Sequence, residues 1–166
     1  FSCRGSYLLH LSCFCRTLMV AKAPSKQNMQ LTPHFSLAEL TTTKQKMDNT
    51  PSKEIVEVLR TTAFYMEKVR EILGNVAITI NSGYRSPDVN RAVGGTSNSS
   101  HTYGYAVDFT AYGHTPLTIC NILAKSNLKF DQLIYEKTWV HISFDPRMRG
   151  NILTLKGKGK YTKGIV

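Results

Sequence analysis

The run Tyr105-Ala106-Val107-Asp108-Phe109-Thr110 sets a carboxylate inside an otherwise apolar strand, and no other feature limits the fold of this chain as much. Side chains alternate between the two faces of a strand. Ala106, Asp108 and Thr110 therefore share one face and Val107 and Phe109 the other, so the carboxylate is aimed away from an apolar face. Residues 139–144 repeat the pattern, with Val140, Ile142 and Phe144 on one face and Trp139, His141 and Ser143 on the other. If the two strands lie side by side, Asp108 and His141 can stand together. His101, seven residues before Asp108 and joined to it by a stretch in which Gly104 allows a tight backbone, can converge with them.

Two histidines and one carboxylate suit a catalytic zinc, which takes three protein ligands and keeps a fourth position open. His101, Asp108 and His141 are the candidate ligands. A lone histidine is usually an ordinary surface or hydrogen-bonded residue, so this reading needs all three to meet. Glu136, at the end of the preceding strand, can face a metal-bound water without being a ligand. Zinc brings the pKa of such a water to around 7, and a nearby carboxylate can take its proton. Arg85, in the loop Ser82-Gly83-Tyr84-Arg85-Ser86-Pro87, offers a guanidinium that pairs with a carboxylate or stabilises developing negative charge.

Competing readings are weaker. Ser99, Ser100 or Ser143 could be the nucleophile of a Ser-His-Asp triad, but no Gly-x-Ser-x-Gly elbow is present. Gly94-Gly95 lacks the strand–loop–helix order of a dinucleotide fingerprint. His10, His34 and His114 have no comparable setting and read as structural. Cys120 falls among Leu117, Ile119, Ile122 and Leu123 and should be buried and inert.

Elsewhere, residues 51–73 have helical period, with Thr50 as cap and Pro51 in the first turn. Pro87 opens a short helix that Gly94-Gly95 ends, and Thr115-Pro116 opens another running to about Lys125. Strands are expected over 76–80, 105–110, 131–136, 139–144 and 151–155. This order predicts an α+β fold whose small, mostly antiparallel sheet carries the metal site and is flanked by helices. At 166 residues the chain is one domain's worth, and it holds no stretch long and apolar enough for a membrane span. Three of its four cysteines lie within the first fifteen residues, so no disulfide framework can hold the domain. Residues 1–28 carry Arg4, Arg16, Lys22 and Lys26 and no acid. Arg4 before an apolar run and Ala21-Lys22-Ala23 suggest a signal peptide, which His10 and Arg16 interrupt. The preferred expectation is upstream sequence outside the fold, with a single domain over 29–166.

Taken together, Ser82-Gly83-Tyr84-Arg85-Ser86, Asn90, Val93-Gly94-Gly95, Ser99-x-His101-x-x-Gly104-x-Ala106-x-Asp108 and Trp139-Val140-His141 resemble the zinc D-alanyl-D-alanine peptidases. These share a superfamily with lysostaphin-type peptidases and the hedgehog signalling domain. Met29-Gln30-Leu31-Thr32 with Phe35, and Asp48-Asn49-Thr50-Pro51, are similar to the start of phage-encoded members. The resemblance implies one zinc on His101, Asp108 and His141, Glu136 as base, and Arg85 as a substrate-carboxylate or oxyanion contact. Tyr84, Ser99 and Trp139 join Arg85 as expected substrate contacts. Trp139 stands where some members carry a second histidine, and Glu136 is further from His141 than in others.

The expected function is hydrolysis of peptide bonds in bacterial peptidoglycan stem peptides by a monomeric, phage-encoded lysis enzyme. It would be made in the host cytoplasm and act on the wall, with secretion by a leader as the lesser possibility. The net charge of +10 favours an anionic partner. Arg147, Arg149, Lys156, Lys158, Lys160 and Lys163 could meet the wall or simply solvate the C-terminal end. The rival reading is a non-catalytic wall-binding or virion structural protein on the same fold, which would have no need of Glu136. Nucleic-acid binding rests on charge alone and lacks a motif.

Overall fold

Leu31 and Phe35, both buried, anchor a small hairpin of β1 (Gln30–Thr32) and β2 (Phe35–Ser36). Ser36 then caps α1 (Leu37–Leu40): its hydroxyl accepts the Glu39 N–H while the Glu39 carboxylate accepts the Ser36 N–H. The computed structural model describes residues 29–166. The expected separate leader, residues 1–28 with His10, lies outside the described residues.

Ser52, rather than Thr50, caps α2 (Lys53–Ile72), its hydroxyl accepting the Ile55 N–H. Pro51 lies outside the helix, one residue before this cap. The cap contributes about 1 kcal/mol. Leu59, Met66 and Val69, all fully buried, contribute roughly 1.5–3 kcal/mol each. Packing of one helical face therefore holds α2 in place, and the caps fix where it begins.

Gly74 and Asn75 turn the chain at φ 85° and 61°, so β3 (Ile78–Ser82) starts two residues later than expected. There follow α3 (Pro87–Ala92), β4 (Ala106–Ala111), α4 (Pro116–Lys125), β5 (Gln132–Tyr135), β6 (Val140–Ser143), β7 (Asn151–Gly157) and β8 (Lys160–Lys163). Ser86 caps α3 and Thr115 caps α4, each followed by proline in the first turn.

The six-stranded sheet runs β3-β4-β6-β5-β7-β8. Every neighbouring pair is antiparallel except β5 and β7. The fold is thus α+β, as the sequence predicts, with one parallel step. β8 was not expected: Lys-Tyr-Thr-Lys is wholly exposed and shows no apolar alternation. It forms because the Gly159 turn, at φ 67°, folds it back on β7.

One face of the sheet is core. Val107, Phe109, Leu133, Val140 and Ile142 lie in one buried cluster with Leu59 and Met66 of α2 and Ile119 and Leu123 of α4. Cys120 is buried there, its thiol pushed up to about 12 by burial, so it is inert as expected. Among the described residues no helix is long and apolar enough to cross a membrane.

Candidate metal centre

The opposite face carries the polar residues. β4 pairs with β6 so that Asp108 stands directly opposite His141. This is the juxtaposition the two alternating runs imply. His101 arrives from the loop before β4. Its backbone carbonyl accepts from the Arg85 N–H at 3.1 Å and the Gly104 N–H at 3.2 Å, tying that loop to the one after β3. Gly104 turns at φ 78°, and its carbonyl accepts the Thr62 hydroxyl of α2 at 2.8 Å.

Three donor atoms meet at one point. His141 Nδ1 lies 2.8 Å from Asp108 Oδ1, His101 Nε2 lies 3.2 Å from the same oxygen, and the two nitrogens are 3.2 Å apart. A tetrahedral zinc with bonds of about 2.0–2.1 Å separates neighbouring donors by about 3.3 Å. The observed triangle is close to that size. The tautomer fits as well. His101 Nδ1 lies 2.7 Å from the Gly83 carbonyl, which can only accept, so the proton is on Nδ1 and Nε2 presents a lone pair. The residues present therefore suit one metal ion held by His101, Asp108 and His141.

The supports are equally specific. Arg85 donates from Nη2 to Asp108 Oδ2 at 2.6 Å and from Nε to the Ser82 hydroxyl at 2.9 Å. One carboxylate oxygen is thereby committed to the guanidinium, and the other faces the histidines. Arg85 is thus seated on a ligand. Its loop is clamped by Asn49, which sequence reasoning missed. Asn49 Nδ2 donates to the Thr41 and Tyr84 carbonyls and its Oδ1 accepts the Ser86 N–H. At Gly83 a Cβ would run into the Leu40 carbonyl oxygen, so only glycine lets this loop pass α1.

Burial opposes a charge on Asp108. His101 and His141 outweigh it and hold the carboxyl far below its ordinary range, so it is ionised. Burial also lowers His101, against the pull of Asp108, which keeps the imidazole neutral and able to ligate. The Glu136 carboxyl is raised, first by burial and then by the Asp108 charge, with His141 opposing.

Glu136 stands just past β5. Its N–H donates to the Trp139 carbonyl at 3.2 Å, and its own carbonyl accepts the Thr138 N–H at 2.8 Å. Lys137, at φ 64°, closes this tight turn. Trp139 is two residues before His141 on the same face. Its indole N–H is buried and helps to lower the Glu136 carboxyl against burial and the Asp108 charge. Ser99 shapes the turn before His101: its hydroxyl accepts the His101 N–H at 3.4 Å and its carbonyl accepts from Thr102. Tyr84 is only 7% exposed and packs in the core cluster, its phenol raised by burial and the Asp48 charge, leaving little surface for a substrate. His34 pairs with Glu67 and His114 bonds the Leu73 carbonyl, both structural as expected.

A family model described as Peptidase M15 matches residues 33–143, a span that contains the three donors, Arg85 and Glu136. One similar curated protein is the "Zinc D-Ala-D-Ala carboxypeptidase" of Streptomyces albus G. The two are 44% identical over 50 residues, which is 30% of this chain and 20% of that protein. The matched stretch thus spans a fifth of the relative's length.

Proposed function

The chain belongs to the peptidase M15 family, and on that premise we propose that it is a zinc-dependent hydrolase of peptide bonds in peptidoglycan stem peptides. The observation that carries the reading is the meeting of His101, Asp108 and His141 within hydrogen-bond distance, with Glu136 in the β5–β6 turn that leads into the His141 strand and outside the donor set. A zinc ion there would supply a Lewis acid for the scissile carbonyl and acidify a water to a pKa near 7.

The side chains supply the rest. Arg85 and the Gly83 carbonyl hold Asp108 and His101 in ligating orientation, so little reorganisation is needed. The Glu136 carboxylate takes a proton from the attacking water and returns it to the leaving amide nitrogen as the C–N bond breaks. A carboxylate in this position can serve as base and then as acid within one cycle. The Trp139 indole N–H, buried on the Glu136 side, partly offsets the rise in that carboxyl's pKa and helps to hold the base in place.

The name of the Streptomyces relative points to a D,D-carboxypeptidase, and an endopeptidase on the same wall peptides is the alternative within this reading. The similarity of residues 29–51 to phage-encoded members and the exposed lysines of β7 and β8 support a lysis role on an anionic wall. The test is to incubate the metal-loaded protein with defined muropeptides and identify the products by mass. Loss of a terminal residue indicates carboxypeptidase action, and internal cleavage indicates an endopeptidase. Glu136→Gln should retain metal and lose about 10²–10⁴-fold in turnover. Intact muropeptides with metal-loaded wild type would overturn the reading in favour of a non-catalytic binding protein.

A further inference from the structure

Registers across the sheet place one more side chain at this site. Asp108, His141, Ile134, Leu153 and Lys163 are successive partners from β4 to β8 and so share a face. Two residues on, the next row of that face contains Trp139 after β5's turn, then Glu136, Leu155 and Tyr161. Tyr161 is paired to Leu155 and lies two strands from Glu136, about 10 Å at the backbone. Its phenol is raised by burial and then by the charges of Glu136 and Asp108, so both carboxylates act on it and it stays protonated. The ring is nevertheless 49% exposed, which leaves it open to an incoming molecule.

We propose that Tyr161 is a substrate-binding residue, its hydroxyl donating a hydrogen bond to an oxygen of the stem peptide lying across β5 and β7. This rests on the peptidase reading and extends it to a strand beyond the 33–143 match. The geometry gives the site two sides. Trp139 stands on one flank of Glu136 with its indole N–H buried, and Tyr161 on the other with its ring half exposed. A peptide over Leu153 and Leu155 meets an apolar floor bordered by the Tyr161 hydroxyl. The β7–β8 hairpin is thus a wall of the binding groove.

Tyr161→Phe removes only the hydroxyl from a half-exposed ring, so the fold and metal content should not change. KM for a hydrolysed stem peptide should rise about tenfold with kcat within twofold, the pattern of a contact made equally in ground and transition states. Direct titration of the same peptide into metal-loaded Glu136→Gln should weaken by the same factor when Tyr161→Phe is added. Tyr112→Phe, at an 80% exposed tyrosine after β4, serves as the control and should leave both values unchanged. Wild-type KM and affinity in Tyr161→Phe would overturn the proposal, as would a loss of metal or a fall confined to kcat. If the wild type neither cleaves nor binds any stem peptide, the peptidase reading itself fails and this one falls with it.

Discussion

Asp108 is held by one guanidinium and two imidazoles at once, and the division of labour between its oxygens decides what it can do. Oδ2 is fixed by the Arg85 guanidinium, and Oδ1 faces the two imidazoles. Removing the guanidinium while keeping a chain of similar length should free Asp108 to rotate and leave its buried charge short of a partner. Arg85→Met should therefore lower metal affinity about 10–100-fold. Competition against a chromophoric chelator measures this, and unchanged affinity would return Arg85 to a purely substrate-facing role. The convergence of His101, Asp108 and His141 was readable because strand alternation is strict and the two apolar faces must lie on one side. The partner of Arg85 was not readable, because the register of β3 against β4, irregular between Ile80 and Ser82, sets which loop residue reaches Asp108. Asn49 was invisible for a similar reason: its contacts with Tyr84 and Ser86 lie 35 and 37 positions away.

The parallel step between β5 and β7 depends on one connection, residues 144–150, and Asp131 organises it. Asp131 is fully inaccessible; its Oδ1 accepts from Arg149 Nε at 2.8 Å and its Oδ2 from Arg149 Nη2 at 2.6 Å. Its carbonyl accepts the Asn151 N–H at the start of β7. Arg147 pairs with Asp145 in the same connection, so two cations expected on a basic surface are engaged within the fold. The hydrogen bonds from Arg149 lower the Asp131 carboxyl below its ordinary value, with burial opposing them. A depressed acid stabilises the fold above its unfolded pKa, about 3.9, and that contribution fades as pH falls through the lower folded value. Asp131→Asn should cost about 1.5–3 kcal/mol at pH 7, toward the lower end because Arg149 is partly exposed. Urea unfolding should show a constant gap from wild type between neutral pH and about pH 5, closing as pH drops below about 4. A gap that persists at low pH would mean that packing, not charge, makes the difference. Helices and central strands were legible from caps and periodicity, whereas β8 was not, since its polar exposed residues are placed by the hairpin turn and by β7 alone.

At the scale of the whole molecule, the core and the metal centre occupy opposite faces of one sheet. The apolar cluster of α2, α4 and the inner face contains none of the three donors. The centre is also assembled by contacts that need no metal: Arg85 with Asp108, Gly83 with His101, and Asp108 with His141. Metal removal should therefore leave the protein folded, unlike small domains whose folding depends on the ion. Binding still stabilises by mass action, because only the folded chain brings the donors together. With zinc at about one hundred times its Kd the gain is about 2.7 kcal/mol. For a domain of this size that corresponds to roughly 5–10 °C in Tm. Calorimetry in chelator should show one cooperative transition lowered by that amount, with added zinc restoring it. His141→Ala should show the lower Tm in either condition, since a ligand is gone. A chain beginning at Met29 should behave as the full chain does, because the sequence of residues 1–28 has no helical or strand period that would tie it to the core. Unfolding on chelation would make the metal part of the core. An insoluble chain from Met29 would show that residues 1–28 help to close it.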